Sequence, residues 1–137
     1  MPSIQDLLAS QKPILPGMVL LGPMSGVDHD KFYIIAGVSG DTICVCTVLI
    51  NSRIHPFIMR NQHLLDRQVM LKADNYSFLD HDSFVNCAQP VTGTTTAFQT
   101  IDFEYKGALL EQDLIIVRQE IINSGMLTEE ERQKFFG

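Results

Sequence analysis

At 137 residues the chain is long enough for one domain with its own core and too short for two ordinary ones. Its 45% hydrophobic and 19% charged residues exclude a disordered protein. A formal net charge of -6 excludes a protein that coats nucleic acid non-specifically, because such binding rests on phosphate neutralisation by Lys and Arg, but it leaves room for a local basic cleft.

Ser3 can cap a short N-terminal helix to about Ala9, with Ile4, Leu7 and Leu8 on one face. Pro13 and Pro16-Gly17 end it and open a turn. This end has no basic region ahead of a long apolar core, so no signal peptide is expected. No apolar run approaches the ~20 residues of a membrane helix. Three cysteines without an evident pairing framework point to a reducing compartment. The expectation is a cytoplasmic protein without a membrane partner.

"MVLLG" reads as a first strand and "PMSGVDHD" as a polar loop. "KFYIIAGV" follows, with Phe32, Ile34, Ala36 and Val38 on one face and Tyr33 and Ile35 on the other. "SGD" is a tight hairpin connection. "TICVCTVLI" is apolar on both faces, which places it at the centre of a barrel or at a subunit contact. Cys44 and Cys46 face the same side of it, about 7 Å apart, too far for a comfortable disulfide. "RIHPFI" reads as a short strand broken by Pro56, and "QVMLKA", "SFVNCAQP" and "TAFQTIDF" as further strands. Six or so short strands separated by turn signals predict a mainly β protein, a small antiparallel barrel over about residues 16–104.

The period then changes. Leu110, Leu114, Val117 and Ile121 form a helical stripe that Ile115 and Ile122 widen, and Gly125 is its stop. Thr128 and Glu131 make a capping box for a last helix to about Phe136. The C-terminal helices, about 108–136, belong to the same single domain, 1–137. A DNA-reading helix-turn-helix is disfavoured, because only Arg118, Arg132 and Lys134 could face a duplex, against six acidic residues. Duplex DNA is not an expected partner.

Charge is unevenly spread. Between Asn51 and Lys72, Arg53, Arg60, Arg67 and Lys72 stand against Asp66 alone, so this stretch carries +3 and the remainder -9. It reads either as a solvated loop or as a basic lip facing an anionic ligand.

Asp-His-Asp occurs twice, around His29 and around His81, each time followed by one residue, a Phe and a strand. Nothing outside that window aligns, which argues against an internal repeat. A metal cage is disfavoured because adjacent residues of an extended segment point to opposite sides. Two readings remain open: turn chemistry, since Asp side chains bond nearby backbone groups, and catalysis, since a His beside Asp can move protons near neutral pH.

The order "PGMVLLG", loop, "KFYIIAGVSGDTICVCTVLINS" and then "VMLKADNYSFLDHDSFVNCAQPVT" resembles the PemK/MazF-like toxins of type II toxin–antitoxin modules. The likeness spans roughly residues 16 to 125. It implies an SH3-like barrel with appended helices, a homodimer, an antitoxin protein as partner, and metal-independent cleavage of single-stranded RNA with no cofactor. By position, Lys31 stands where the family usually has Arg, Asn51-Ser52 where it has Thr-Ser, and Ser83 where a serine opens the late strand. With these positions the expected catalytic residues are Lys31 and Ser52, joined by His29 or His81 as acid or base, although neither His has a firm counterpart in the family; RNA binding is expected of Ser83 and of the basic lip with Arg53, Arg60 and Arg67. The Lys is a departure, because it lacks the planar two-pronged phosphate contact of Arg. The alternatives are a catalytically inactive SH3-like module that binds protein or RNA, and a metal-dependent hydrolase using His29, Asp30, His81 and Asp82.

Overall fold

The computed structural model describes residues 14–23, 30–49, 56–96 and 103–137. The N-terminal helix expected over residues 3–9, the strand expected in "TAFQTIDF" and the residues just before Pro56 lie mostly or wholly outside these spans.

Seven strands form one antiparallel sheet: β1 Met18–Gly22, β2 Lys31–Ser39, β3 Thr42–Leu49, β4 Gln68–Leu71, β5 Ser83–Asn86, β6 Val91–Thr94 and β7 Glu104–Ala108. The order is β4-β5-β3-β2-β1-β7, with β6 also on β3. β3 is central, as its two apolar faces predicted. β2 pairs along one edge of it; β6 takes the first half of the other edge (Thr42↔Thr94 to Val45↔Val91) and β5 the second (Val48↔Val85, Leu49↔Phe84). One strand thus serves two sheet halves, which curls the sheet into the small antiparallel barrel expected. Gly40, at φ 57, makes the β2–β3 turn between the paired Ser39 and Thr42.

The helices differ in part from expectation. Pro56 opens a helical turn, α1 Pro56–Met59, followed by α2 Gln62–Leu65, where a broken strand was read. The physical reason is that Pro at a first helical position has no backbone N–H to lose. α3 Glu111–Ser124 and α4 Glu129–Phe136 follow as expected, with Gly125 left-handed at φ 70 and the Thr128–Glu131 capping box formed. Among the described residues no helix is long and apolar enough to cross a membrane.

The core has two parts. Val19, Ile34, Ala36, Cys44, Cys46, Val48, Val69, Leu71, Val85 and Cys87 pack beneath α3 and α4, against Val117, Ile121 and Phe135. On the opposite sheet face Leu20, Tyr33, Ile35, Ile43 and Val45 form a smaller cluster with Phe103. Val38, expected on the face of Ile34, belongs to this second cluster, because the register shifts between Ile35 and Gly37 and the pleat reverses. Ile115, expected to widen the buried stripe, is 60% exposed and faces away from Val117 and Ile121.

Tyr76 ties the core to the start of α3. Leu110, at the helix N-cap, has no side-chain cap of its own. Instead the Tyr76 hydroxyl accepts the Leu110 N–H at 3.0 Å and donates to the Asp113 carboxylate at 2.5 Å. Burial first, and then the bond to Asp113, push the Tyr76 phenol up to about 12.

Candidate functional site

Two of the three strands that flank β3 begin at the same end of the sheet. β2 and β5 each run antiparallel to β3, so Lys31, the first residue of β2, and Ser83, the first of β5, lie beside the end of β3 at Leu49. Tyr33 pairs with Thr47, and the same register carried two residues on sets Lys31 level with Leu49, which pairs with Phe84. Two strand spacings separate Lys31 from Phe84, about 10 Å. Asp30, which leads into β2, and the second Asp-His-Asp segment, which leads into β5, therefore lie at one end of the barrel.

Aromatic packing fixes this convergence. Phe32, next to Lys31, meets Phe78 of the β4–β5 connection at 5.6 Å between ring centroids, and Phe78 meets Tyr76 at 5.5 Å. Asp82 turns back to accept the Ala73 N–H at 2.8 Å. Ser83 is fully buried, and its hydroxyl donates to the His81 carbonyl at 2.9 Å. These bonds shape the turn and leave the His81 side chain exposed. In the second copy Asp82 is thus turn chemistry, while the His81 side chain faces solvent.

The wall beside Lys31 is aromatic. Gly22 pairs with Lys31, and the Phe103 ring occupies the place where a Gly22 Cβ would stand. Phe103 meets Tyr33 edge to face at 5.2 Å. The Tyr33 hydroxyl donates to the Pro23 carbonyl at 2.8 Å. Burial, and then the charge of Asp30, raise the Tyr33 phenol, so it is a neutral donor at physiological pH. Lys31 itself is half-buried.

The remaining residues singled out in the sequence are distributed as follows. His29, Ser52 and Arg53 lie outside the described residues; Ser52 and Arg53 follow Leu49 closely in the chain. Arg60 is exposed after α1. Arg67 is not a free cation: its Nε lies 3.4 Å from the Glu120 carboxylate of α3, an ion pair without good hydrogen-bond alignment. Of the basic stretch, Lys72 is exposed just past β4, at the same end as Lys31. Asp30, Asp80 and Asp82 are exposed there too, so the charge at this end is mixed. Among the described residues no three His, Cys, Asp or Glu side chains are grouped to hold a metal. A cleft of about 260 Å³, lined by Thr42, Thr92, Thr94, Glu131, Lys134 and Phe135, lies at the opposite end of β3.

Reading the sequence missed Tyr33, Phe78 and Phe84 as parts of this end. Tyr33 was visible only as a strand position two residues from Lys31, and Phe78 as an apolar residue in a loop. Phe84 could have been found: it alternates with Ser83 and Val85, and so faces away from the core they enter.

No protein-family model matches the chain, and no curated protein does. Solved structures do. One is an endoribonuclease in complex with its cognate antitoxin from a mycobacterial species: TM-score 0.55, 13% identity, covering 85% of this chain and 99% of that one. Another is the Mycobacterium tuberculosis toxin MazF-mt6: TM-score 0.53, 16% identity, covering 81% of this chain and 98% of that one. At these identities the likeness is one of fold: the chain has a MazF-like fold over nearly the full length of those toxins.

Proposed function

We propose that this chain is the toxin component of a toxin–antitoxin pair, a homodimer in the cytoplasm that cleaves single-stranded RNA without a metal. The observation that carries the reading is the arrival of Lys31 and the His81 turn at one end of a MazF-like fold, the end where β3 finishes shortly before Ser52 and Arg53 in the sequence.

In this chemistry a base takes the proton of a ribose 2'-hydroxyl, whose oxygen attacks the adjacent phosphorus. An acid protonates the departing 5'-oxygen, and a cyclic phosphate and a 5'-hydroxyl result. Lys31 would stabilise the extra charge on the phosphorane, since a cation near a developing oxyanion acts most strongly where water is partly excluded. His81, with His29 of the β1–β2 connection, would supply the base and the acid, which need hydrogen-bond reach of the moving protons. Ser52 would hydrogen-bond the substrate. Arg53 and Arg60 would contact the RNA backbone, Arg67 would add to the local field from its pairing with Glu120, and Ser83 would act through the His81 turn.

Purified protein is expected to cut single-stranded RNA in excess EDTA, and Lys31→Ala to lower the rate by about 100-fold, the scale of losing one charge-stabilising donor. A parent that neither binds nor cuts RNA would sink the reading; a Lys31→Ala protein as active as the parent would remove Lys31 from it. A second reading, a module without catalysis that binds a protein, is favoured by Ile115 and Ile116, which are 60% and 49% exposed on the outer side of α3. Under that reading RNA would be left uncut and Ile115→Glu would abolish partner binding.

A further inference from the structure

The outward face of β4 and β5 departs from the rule for a half-buried antiparallel pair. Val69, Leu71 and Val85 point into the core at 6% exposure or less. Their alternating neighbours should then be polar, because they meet water. At the end nearest Lys31 they are Phe84 and Met70 instead, directly paired across the two strands. Met70 is 48% exposed and Phe84 half-buried. Among the described residues Phe84 packs into neither core cluster and has no aromatic partner.

Lys31 shares this face. It is two residues before Tyr33, which belongs to the outer cluster, so the strand period turns both side chains to the same side. Lys31, Phe84 and Met70 thus stand in one row across β2, β5 and β4, with the β3 backbone between Lys31 and Phe84. A cation about two strands from an uncommitted aromatic ring is the pairing that single-stranded nucleic acid requires: positive charge for the backbone and a π-face for the base. A second protein chain would match Phe84 and Met70 only if it also brought a carboxylate to Lys31, whereas a single strand supplies base and phosphate together.

We propose that Phe84, flanked by Met70, is the stacking platform for one nucleobase of a single-stranded RNA whose neighbouring phosphate is held by Lys31. The proposal rests on the ribonuclease reading above and adds a base-binding subsite to it. The subsite accepts any base, because every base has a π-face and Phe84 offers no hydrogen bond to choose among them.

The chain contains no tryptophan, so Phe84→Trp installs a single reporter. Its emission is expected to be quenched on titration with a ten-nucleotide single-stranded RNA of mixed sequence, and to stay constant with an oligonucleotide of the same length carrying abasic sites throughout. Phe84→Leu, which keeps an apolar side chain and the fold (checked by circular dichroism), should weaken binding about ten-fold with the salt dependence unchanged. Lys31→Ala should instead flatten the log–log salt slope by about 0.7. If the Phe84→Trp protein binds RNA with parental affinity and constant emission, the platform falls and the ribonuclease reading stands. If emission changes with protein concentration and not with RNA, Phe84 is a self-association contact and the proposal is overturned. If the parent binds no RNA, both fall together.

Discussion

Phe32 and Phe78 hold each other at 5.6 Å, and through that contact the connection that carries His81 is fastened to the start of β2. Phe78 also lies against Gly107 of β7, where a Cβ would come within 3.3 Å of its ring. One side chain therefore joins β2, β7 and the β4–β5 connection. Phe78→Ala should cost about 2–3 kcal/mol, somewhat less than truncation of a fully buried Phe, as a lower urea midpoint at unchanged slope. An unchanged midpoint would show that the connection is held by other means.

Tyr76→Phe should cost about 1–3 kcal/mol, because it strips the Leu110 N–H of its acceptor and the Asp113 carboxylate of its donor in a largely buried place. The pH dependence follows from the raised phenol. A group whose folded pKa is above its unfolded value stabilises the fold fully below the unfolded pKa and loses that contribution as pH rises through the folded one. For Tyr76 the window runs from about 10 to about 12. Urea midpoints of the parent should fall across this window more steeply than those of Tyr76→Phe; equal slopes would assign the alkaline loss to other groups, Cys44 among them.

Gly22→Ala should destabilise the fold by about 1–3 kcal/mol, because the new methyl must displace the Phe103 ring and with it the edge-to-face contact to Tyr33. Since Gly22 pairs with Lys31, RNA cleavage should fall more than the loss of folded protein accounts for. A fully active, equally stable variant would show that this wall yields at no cost.

The three thiols should be inert in the native protein. All are free and buried. Burial and the neighbouring Cys46 and Glu131 push Cys44 up to about 12, and the contact with Cys87, with burial, raises Cys46. Thiolate is the reacting form, so a thiol reagent at pH 8 should modify none of the three until denaturant is added, and all three thereafter. Fast labelling of one site in the folded protein would contradict this packing.

Elements with strong periodicity were legible in the sequence: β1, β2 and β3, and the two last helices with the Gly125 stop and the Thr128–Glu131 box. β6 and β7 were not. "VTGT" and "EYKGA" contain Gly and polar residues and lack a full apolar face, because β6 is exposed throughout and both strands lie at sheet edges. There hydrogen bonding to one neighbour makes the strand, with little burial to mark it. Pro56 misled for a related reason: a strand-breaking residue also opens helices. As for the site, Lys31 and His81 could be singled out from sequence, but their convergence could not, since it depends on β2 and β5 flanking the same strand. The burial of Ser83 and the pairing of Arg67 with Glu120 were equally invisible, being long-range packing outcomes.

The pairing of Met18 with Ala108 has a consequence for how the chain folds. The β1–β2–β3 meander is local and can assemble early, but its outer edge waits for a strand that lies almost at the start of α3. Contacts of such long sequence separation slow folding, because the chain entropy is lost before the contact rewards it. On the ribosome the β1 edge stays open until Ala108 has emerged, so a nascent chain stalled before that point presents Met18–Gly22 as an unpaired strand edge.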